Sequence, residues 1–132
     1  MADFEGVQAL IIEDDQTSIN VLTRLLDQLS VGAAVIQDTA QAEISLREVA
    51  RPDVIFLDLE MPALNGYNVL QLIQKDEFFN DVPVVAYTTH ISHMNDARRA
   101  GFNGFLGKPL DKNQFPDQLA RILNGESVWE VP

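Results

Sequence analysis

Short apolar segments alternate along this chain with segments in which apolar residues recur at every third or fourth position. The short segments suit strands buried on both faces of a sheet, and the longer spacing places apolar side chains on one side of a helix. Five such pairs follow one another. The predicted strands cover residues 8–13, 33–37, 54–58, 82–87 and 104–106, and the predicted helices are centred on residues 19–29, 44–49, 69–73, 94–100 and 115–123.

A regular strand–helix repeat limits the possible architectures, because crossovers between parallel strands are right-handed. The expected result is an α/β fold with an open parallel sheet and helices on both faces. Ligands of such sheets bind at the carboxyl ends of the strands, where the strand order reverses. Candidate functional residues are therefore expected directly after the predicted strands.

The length of the chain, 132 residues, is typical of one domain. We place that domain at residues 1–125. Residues 126–132, including Trp129, lie beyond the last predicted helix and have no evident place in the sheet. They are therefore expected to form a C-terminal tail.

The acidic composition argues against several classes of partner. A formal net charge of −11 is unfavourable for binding nucleic-acid phosphates or anionic membranes, which requires clustered Lys and Arg. The chain has no cysteine, which excludes disulfides, thiolate catalysis and Cys-based zinc sites. Its first residues lack the basic start and apolar run of a signal peptide, and no stretch approaches the ~20 apolar residues of a membrane span. We expect a cytoplasmic protein.

Polar residues follow four of the five predicted strands: Glu13, Asp14 and Asp15, then Asp58, Thr88 and Lys108. The carboxylates at positions 13, 14 and 58 would point into one crevice. Two charges about 4 Å apart repel by about 4 kcal/mol at an effective dielectric constant of about 20, so the cluster would raise a carboxylate pKa or recruit a cation. An all-oxygen ligand set favours Mg²⁺ over zinc or copper, and Mn²⁺ could substitute.

Three of these residues also have simple explanations when taken alone. Asp15 is best explained as the cap of the helix that follows it. Lys108 could be a surface lysine before a turn proline, or its ammonium could neutralise a phosphoryl oxygen or pair with Asp58 in the empty site. Thr88 could be an ordinary strand residue, or its hydroxyl could donate to a phosphoryl oxygen. Their joint occurrence at strand ends favours the functional interpretation of Lys108 and Thr88.

Taken together, the order Glu-Asp, Asp, Thr and Lys-Pro at the ends of strands one, three, four and five resembles the receiver domain of bacterial response regulators. The resemblance covers residues 6–124, where the segments ALIIEDDQTSINVL, PDVIFLDLEMPALNGYNVL, VPVVAYTTH and AGFNGFLGKPLD are similar to receiver segments. It implies a flavodoxin-like, doubly wound five-stranded parallel sheet with strand order 2-1-3-4-5 and five helices, as in single-domain receivers of the chemotaxis type.

The resemblance also implies a role for the acidic residues. Asp58 is expected to be the phosphoacceptor and a metal ligand. Asp14 would bind Mg²⁺ directly, Glu13 would act through water, and the backbone carbonyl of Glu60 would complete the protein ligands. Glu60 and His90 would flank the water that attacks the phosphoryl group, and would thereby influence its lifetime.

Further roles implied by the resemblance concern the last two strands. Lys108 and Thr88 would hold the phosphoryl oxygens, and Thr88 and Phe105 would form the conformational switch. Phe105 lacks the hydroxyl of the commoner tyrosine, so we expect it to prefer a buried position. The bond between Lys108 and Pro109 lies where receivers often have a cis peptide. Taken alone, His90 and His93 are explained more simply as solvated residues at a helix start.

This resemblance implies a phosphorylatable switch that catalyses only its own phosphorylation and dephosphorylation. The phosphoryl group would come from a phosphohistidine of a sensor histidine kinase or a histidine phosphotransfer protein. With no output domain predicted after residue 125, we expect a stand-alone response regulator that contacts an unknown downstream protein. The expected contact surface is helix four, strand five and helix five, including Arg98, Phe105 and Lys112. We expect the chain to be a monomer, or a weak dimer that forms through the same surface.

Three other functions fit parts of the pattern. A haloacid-dehalogenase-type phosphatase also uses a strand-end Asp and Mg²⁺, but it needs a second Asp two residues later, where this chain has Glu60. A nucleotide-binding module would need a phosphate loop where the acidic Glu13 and Asp14 stand. A receiver-shaped docking domain that is never phosphorylated is opposed by the intact acceptor, metal and lysine positions.

Overall fold

The structure, a computed structural model, describes residues 4–61 and 64–131. Residues 62 and 63, which belong to one of the receiver-like segments, lie outside the described residues, as do residues 1–3 and 132. Within the described part, six parallel strands form one sheet in the order β2-β1-β3-β4-β5-β6. They are β1 (Gln8–Ile12), β2 (Gly32–Ile36), β3 (Val54–Leu57), β4 (Val84–Thr88), β5 (Gly104–Gly107) and β6 (Val128–Glu130).

Helices cover both faces of this sheet. α1 and α5 pack on one face, with Leu22 and Phe115 in their shared core, and α2, α3 and α4 pack on the other, with Leu70 and Ala97 in theirs. The predicted doubly wound α/β fold and the order of its first five strands are confirmed. No helix among the described residues is long and apolar enough to cross a membrane. The helices are α1 (Gln16–Gln28), α2 (Ala42–Leu46), α3 (Gly66–Lys75), α4 (Met94–Ala100) and α5 (Phe115–Leu123).

Local chemistry explains where α1 and α5 begin. The carboxylate of Asp15 accepts the backbone N–H of Ser18 at 3.0 Å and its hydroxyl at 2.8 Å, which satisfies donors left free at the helix start. The prediction that Asp15 caps this helix is confirmed. α5 begins at Phe115, so Pro116 lies in the first turn, where its missing N–H breaks no helical hydrogen bond.

The sixth strand, β6, corrects the expectation that residues 126–132 lie outside the sheet. β6 pairs in parallel with β5, which places Val128 beside Gly104 and Trp129 beside Phe105. A Cβ on Gly104 would lie 2.9 Å from the carbonyl oxygen of Val128, so the close approach of β6 depends on that glycine. Val128 is fully buried as a result, and its burial contributes to holding the strand in place.

Side chains from the two flanking helices hold the outer side of β6. The guanidinium of Arg98, in α4, lies 4.6 Å from the centre of the Trp129 ring. Arg121, in α5, forms an ion pair of 2.9 Å with Glu130, and Gln118 donates to the other oxygen of the same carboxylate at 2.7 Å. The strand is therefore anchored to both helices that border β5.

Candidate functional site

The carboxyl ends of β1 and β3 bring three carboxylates together where the strand order reverses. Glu13 directly follows β1, and Asp58 directly follows β3. Glu13 is fully buried, Asp58 is 6% exposed, and Asp14 is half-buried. Each of the three offers an oxygen atom, and these atoms lie within 4.8 Å of one another. We refer to Glu13, Asp14 and Asp58 as the acidic pocket.

The electrostatics of the acidic pocket suit a hard divalent cation. Burial raises the pKa of Glu13 to about 7, and the charge of Asp58 adds to this effect, while a hydrogen bond from Lys108 opposes it. Burial also raises the pKa of Asp58, with the charge of Lys108 acting in the opposite direction. One lysine thus does not offset the negative charge of the pocket. The all-oxygen ligand set matches the preference of Mg²⁺ and Mn²⁺.

Lys108 reaches the pocket from the end of β5, as predicted, but its partner differs from the expected one. Its Nζ lies 2.9 Å from an oxygen of Glu13, whereas the sequence had suggested Asp58 as the partner of Lys108. The ammonium also lies 4.5 Å from the centre of the Tyr87 ring, which holds it over β4. Glu13 is fully buried, so a direct counter-charge offsets part of the cost of holding its charge there. The Lys108–Pro109 peptide bond is cis, as expected.

The backbone around Asp58 is closely packed. The N–H of Glu60 donates to the Asp58 carboxylate at 3.3 Å, which orients the side chain. Gly66 is the first residue of α3 and lies close to the backbone of Asp58. A Cβ on Gly66 would be 2.4 Å from the carbonyl oxygen of Asp58. The start of α3 therefore packs directly against the backbone of the candidate phosphoacceptor.

The two predicted switch residues lie on neighbouring strands. Thr88 ends β4 and is 1% exposed, and its hydroxyl oxygen accepts the N–H of His90 at 3.2 Å. The hydroxyl proton remains available for donation to another oxygen. Phe105, on β5, is fully buried in the core beneath α4, which agrees with the expectation that it prefers the buried position.

Two features of the site were not predicted from the sequence. Tyr87 is 2% exposed, supports the Lys108 ammonium and donates its hydroxyl to the carbonyl oxygen of Ser18 at 3.1 Å. Burial holds the pKa of Tyr87 far above its usual range, so the phenol stays protonated. Beside the acidic pocket, the carboxylate of Glu60 contacts His90 and also His93, which was expected to be merely solvated. An aromatic residue in a buried strand normally indicates core packing, so nothing distinguished Tyr87 in advance.

The family model for the response regulator receiver domain matches residues 9–120 of this chain, a range that includes every residue of the acidic pocket together with Thr88 and Lys108. The chain belongs to the response regulator receiver domain family. Receiver domains are modules of two-component signalling that act with histidine kinases, and they are not enzymes in the usual sense.

Individual relatives agree with this assignment. The chain is 28% identical over 119 residues to protein PilH of Pseudomonas aeruginosa, covering 88% of this chain and 97% of that protein. It is 30% identical over 127 residues to stress response regulator protein 1 of Lodderomyces elongisporus, covering 94% of this chain and 34% of the relative. The chain thus spans about a third of that longer protein, and for transcription factor SKN7 of Saccharomyces cerevisiae it spans 19%.

A solved structure supports both the fold and the metal chemistry. The receiver domain of sensor histidine kinase PA1611 from Pseudomonas aeruginosa superposes with a TM-score of 0.79 at 28% identity, covering 90% of this chain and 98% of that domain. That crystal structure has a magnesium ion coordinated in its active-site cleft. The acidic pocket of this chain offers the ligand types that such an ion requires.

Proposed function

We propose that this receiver accepts a phosphoryl group on Asp58 from a phosphohistidine of a sensor histidine kinase or a histidine phosphotransfer protein. The observation that carries the proposal is the arrangement of the acidic pocket. A buried nucleophilic carboxylate, two further carboxylates for a metal and one lysine converge at the strand ends, with the pKa of Glu13 raised to about 7. The excess of negative charge in this buried pocket would repel an anionic phosphoryl group unless a bound cation offset it.

The residues of the pocket divide the chemistry among them. An oxygen of Asp58 would form a bond to phosphorus as the bond between phosphorus and the donor imidazole breaks, and the departing nitrogen would take a proton. Glu13, Asp14, Asp58 and the backbone carbonyl of Glu60 would hold Mg²⁺ or Mn²⁺, which would supply positive charge beside the equatorial phosphoryl oxygens. Hydrolysis of the acyl phosphate would reset the switch, with Glu60 and His90 modulating its rate.

Lys108 has a further consequence for the order of events. In this structure it is paired with Glu13, 2.9 Å away. A divalent cation at Glu13 would compete with Lys108 for the carboxylate and leave the ammonium free for a phosphoryl oxygen. With the metal bound, two positive charges, the cation and the Lys108 ammonium, would thus be available to the phosphoryl oxygens.

The signal would leave the pocket through Thr88 and Phe105. If Thr88 turned to donate its hydroxyl to a phosphoryl oxygen, its present contact with the N–H of His90 would be lost. The loop after β4 and the start of α4 would then adjust, because they follow Thr88 directly. The surface formed by α4, β5 and α5 would change with them and would be recognised by a downstream protein.

The proposal is tested by incubating the metal-free chain with a small phosphodonor, such as acetyl phosphate, with and without Mg²⁺ and measuring its intact mass. We expect a Mg²⁺-dependent gain of about 80 Da that is lost in D58N. The matched control is D15N, which changes an acid next to the pocket but retains a residue able to cap α1. No adduct in the wild type, or one that persists in D58N, would contradict the role of Asp58.

The intact-mass experiment, together with an assay of phosphate-monoester hydrolysis, separates the two main alternatives. A receiver-shaped docking domain would acquire no adduct under any condition. A haloacid-dehalogenase-type phosphatase would turn over many equivalents of a phosphate monoester. The geometry disfavours that second function, because the carboxylate of Glu60, at the position of the required acid, contacts His90 and His93.

A further inference from the structure

Beside the acidic pocket lies a second group of metal-ligating side chains, formed by Glu60, His90 and His93, which we call the histidine cluster. Each residue offers one ligand atom, and these atoms lie within 4.8 Å of one another. Glu60 follows β3 and Asp58, while His90 and His93 belong to the turn between β4 and α4. The three side chains are 49%, 44% and 34% exposed, so an ion could reach them directly from solvent.

The contacts of His90 and His93 with Glu60 are close to the spacing of ligand atoms in a tetrahedral site, and each histidine faces a different carboxylate oxygen. With zinc–ligand bonds of about 2.0 to 2.1 Å, neighbouring ligand atoms lie about 3.3 Å apart. The Nε2 of His90 is 3.0 Å from one oxygen of Glu60, and the Nε2 of His93 is 3.5 Å from the other. The imidazole planes stand at 87° to each other, with centroids 5.9 Å apart, so the rings do not stack. To share one ion, the two histidines would converge on one oxygen of Glu60, or the carboxylate would bind through both oxygens.

Tyr67 supports the orientation of His93. Its hydroxyl lies 3.5 Å from the Nδ1 of His93, so a proton on Nδ1 can be donated to the phenolic oxygen. The contact of Nε2 with Glu60 at 3.5 Å needs a proton on Nε2, so an ion would replace that proton. A proton on Nδ1 facing Tyr67 would then keep the lone pair of Nε2 directed at the metal. Burial raises the pKa of Tyr67, and nearby Asp96 and Glu60 act in the same direction, so the phenol stays protonated.

We propose that the histidine cluster binds a transition-metal ion of the zinc class through Glu60, His90 and His93, with water completing the coordination. Two imidazoles and one carboxylate favour Zn²⁺, Co²⁺ or Ni²⁺, whereas the acidic pocket offers only oxygen and favours Mg²⁺. The two neighbouring sites therefore select different metals. This inference does not depend on phosphorylation of Asp58.

A bound ion would add a link between two segments that follow neighbouring, hydrogen-bonded strands of the sheet, β3 and β4. One segment carries Asp58 and Glu60, and the other carries Thr88, whose hydroxyl already accepts the N–H of His90. Fixing His90 and Glu60 on one ion would restrict the loop after β4. We therefore expect slower hydrogen exchange of the amides of residues 89–93 when the ion is bound.

The test is a calorimetric titration of the full chain, without an affinity tag, with Zn²⁺ in the presence of excess Mg²⁺. We expect one ion per chain and an affinity that falls at least about tenfold in H93Q and in E60Q. E48Q is the matched control, because it removes an exposed carboxylate that belongs to neither group of ligands. D14N tests whether the ion has entered the acidic pocket instead. Both controls should bind as the wild type does.

A second measurement reports on the ligands themselves. Co²⁺ should give the visible absorption of a low-symmetry, low-coordinate site in the wild type, and H90Q and H93Q should each abolish it. Absence of Zn²⁺ binding in excess Mg²⁺ would overturn the proposal. So would binding that is as strong in H93Q as in the wild type, or binding that is lost in D14N.

Discussion

Replacing Glu13 with glutamine should stabilise the metal-free protein at alkaline pH, although it removes the ion pair with Lys108. Burial and the neighbouring Asp58 raise the pKa of Glu13 from 4.5 to about 7, which means that its charge is costly in the folded state. Each tenfold change in proton affinity is worth about 1.4 kcal/mol, so full ionisation of Glu13 lowers the free energy of unfolding by about 3 kcal/mol. Glutamine has nearly the same shape as glutamate but no charge, and Asp58 remains near Lys108 as a counter-charge.

The sign of this effect depends on pH. Because the pKa of Glu13 is higher in the folded than in the unfolded state, the folded state binds more protons between about pH 4.5 and pH 7. The stability of the metal-free wild type should therefore fall as the pH rises through that window. E13Q lacks the contribution of Glu13 to this dependence, while that of Asp58, whose pKa burial also raises, remains. We expect E13Q to be more stable than the wild type by about 1 to 3 kcal/mol at pH 8, where the charge is fully present, and similar to it below pH 4.5.

The assay is urea denaturation of both proteins at pH 4.5 and pH 8, in chelator and in excess Mg²⁺. At an ion concentration 100-fold above the dissociation constant, Mg²⁺ stabilises the folded state by about 2.7 kcal/mol, and a tenfold weaker site would gain about 1.4 kcal/mol less. Mg²⁺ should thus narrow the difference between the two proteins. E48Q, which neutralises an exposed carboxylate, is the control. Destabilisation of metal-free E13Q at pH 8, or equal stabilisation at both pH values, would refute the reasoning.

Three further predictions address the rest of the structure. G66A should destabilise the fold by about 1 to 3 kcal/mol in chemical denaturation, because the added Cβ would lie 2.4 Å from the Asp58 carbonyl oxygen. Replacing glycine by alanine in a helix usually stabilises a protein, so stabilisation here would show that Gly66 lies farther from Asp58. V128A should cost about 2 kcal/mol through lost burial in β6, measured as a lower melting temperature, whereas a free tail would show no change. Mg²⁺ should hardly alter the fluorescence of Trp129. Three strand spacings of about 4.8 Å separate β6 from β3 and place the ring about 14 Å from the pocket. Strong quenching would contradict that placement.

The sheet and the acidic pocket could be predicted because their signals are local and repeated. Each buried strand is a short apolar run, and its first polar residue marks the edge of the sheet, so Glu13 and Asp58 were identified by position alone. Their proximity follows from the parallel pairing of β1 with β3. Helix two was harder, since it is only five residues long and leaves Ile44 54% exposed, although the spacing had suggested an apolar face from 44 to 49.

Features that depend on competition between partners could not be predicted. Lys108 had two carboxylates within reach, and only the packed site shows that Glu13 is fully buried and accepts the ammonium. The histidine cluster joins residues about thirty positions apart, and its Glu60 had already been given another role. A strand of three residues such as β6 is too short to show a periodic pattern in the sequence. Its position depends on Gly104 and on side chains of α4 and α5, which are distant in the sequence.

The sixth strand changes what a partner would meet at the surface formed by α4, β5 and α5. In a five-stranded receiver, one edge of β5 would present unpaired N–H and C=O groups, which could pair with a second chain. Here β6 occupies that edge, with Trp129 beside Phe105 and Glu130 held by Arg121. A dimer that pairs through β5 would therefore require β6 to leave first, at the cost of reexposing Val128. While β6 stays in place, it is itself the edge strand of the described sheet, so a partner at this surface would meet α4, β6 and α5, and Trp129 would be part of that surface.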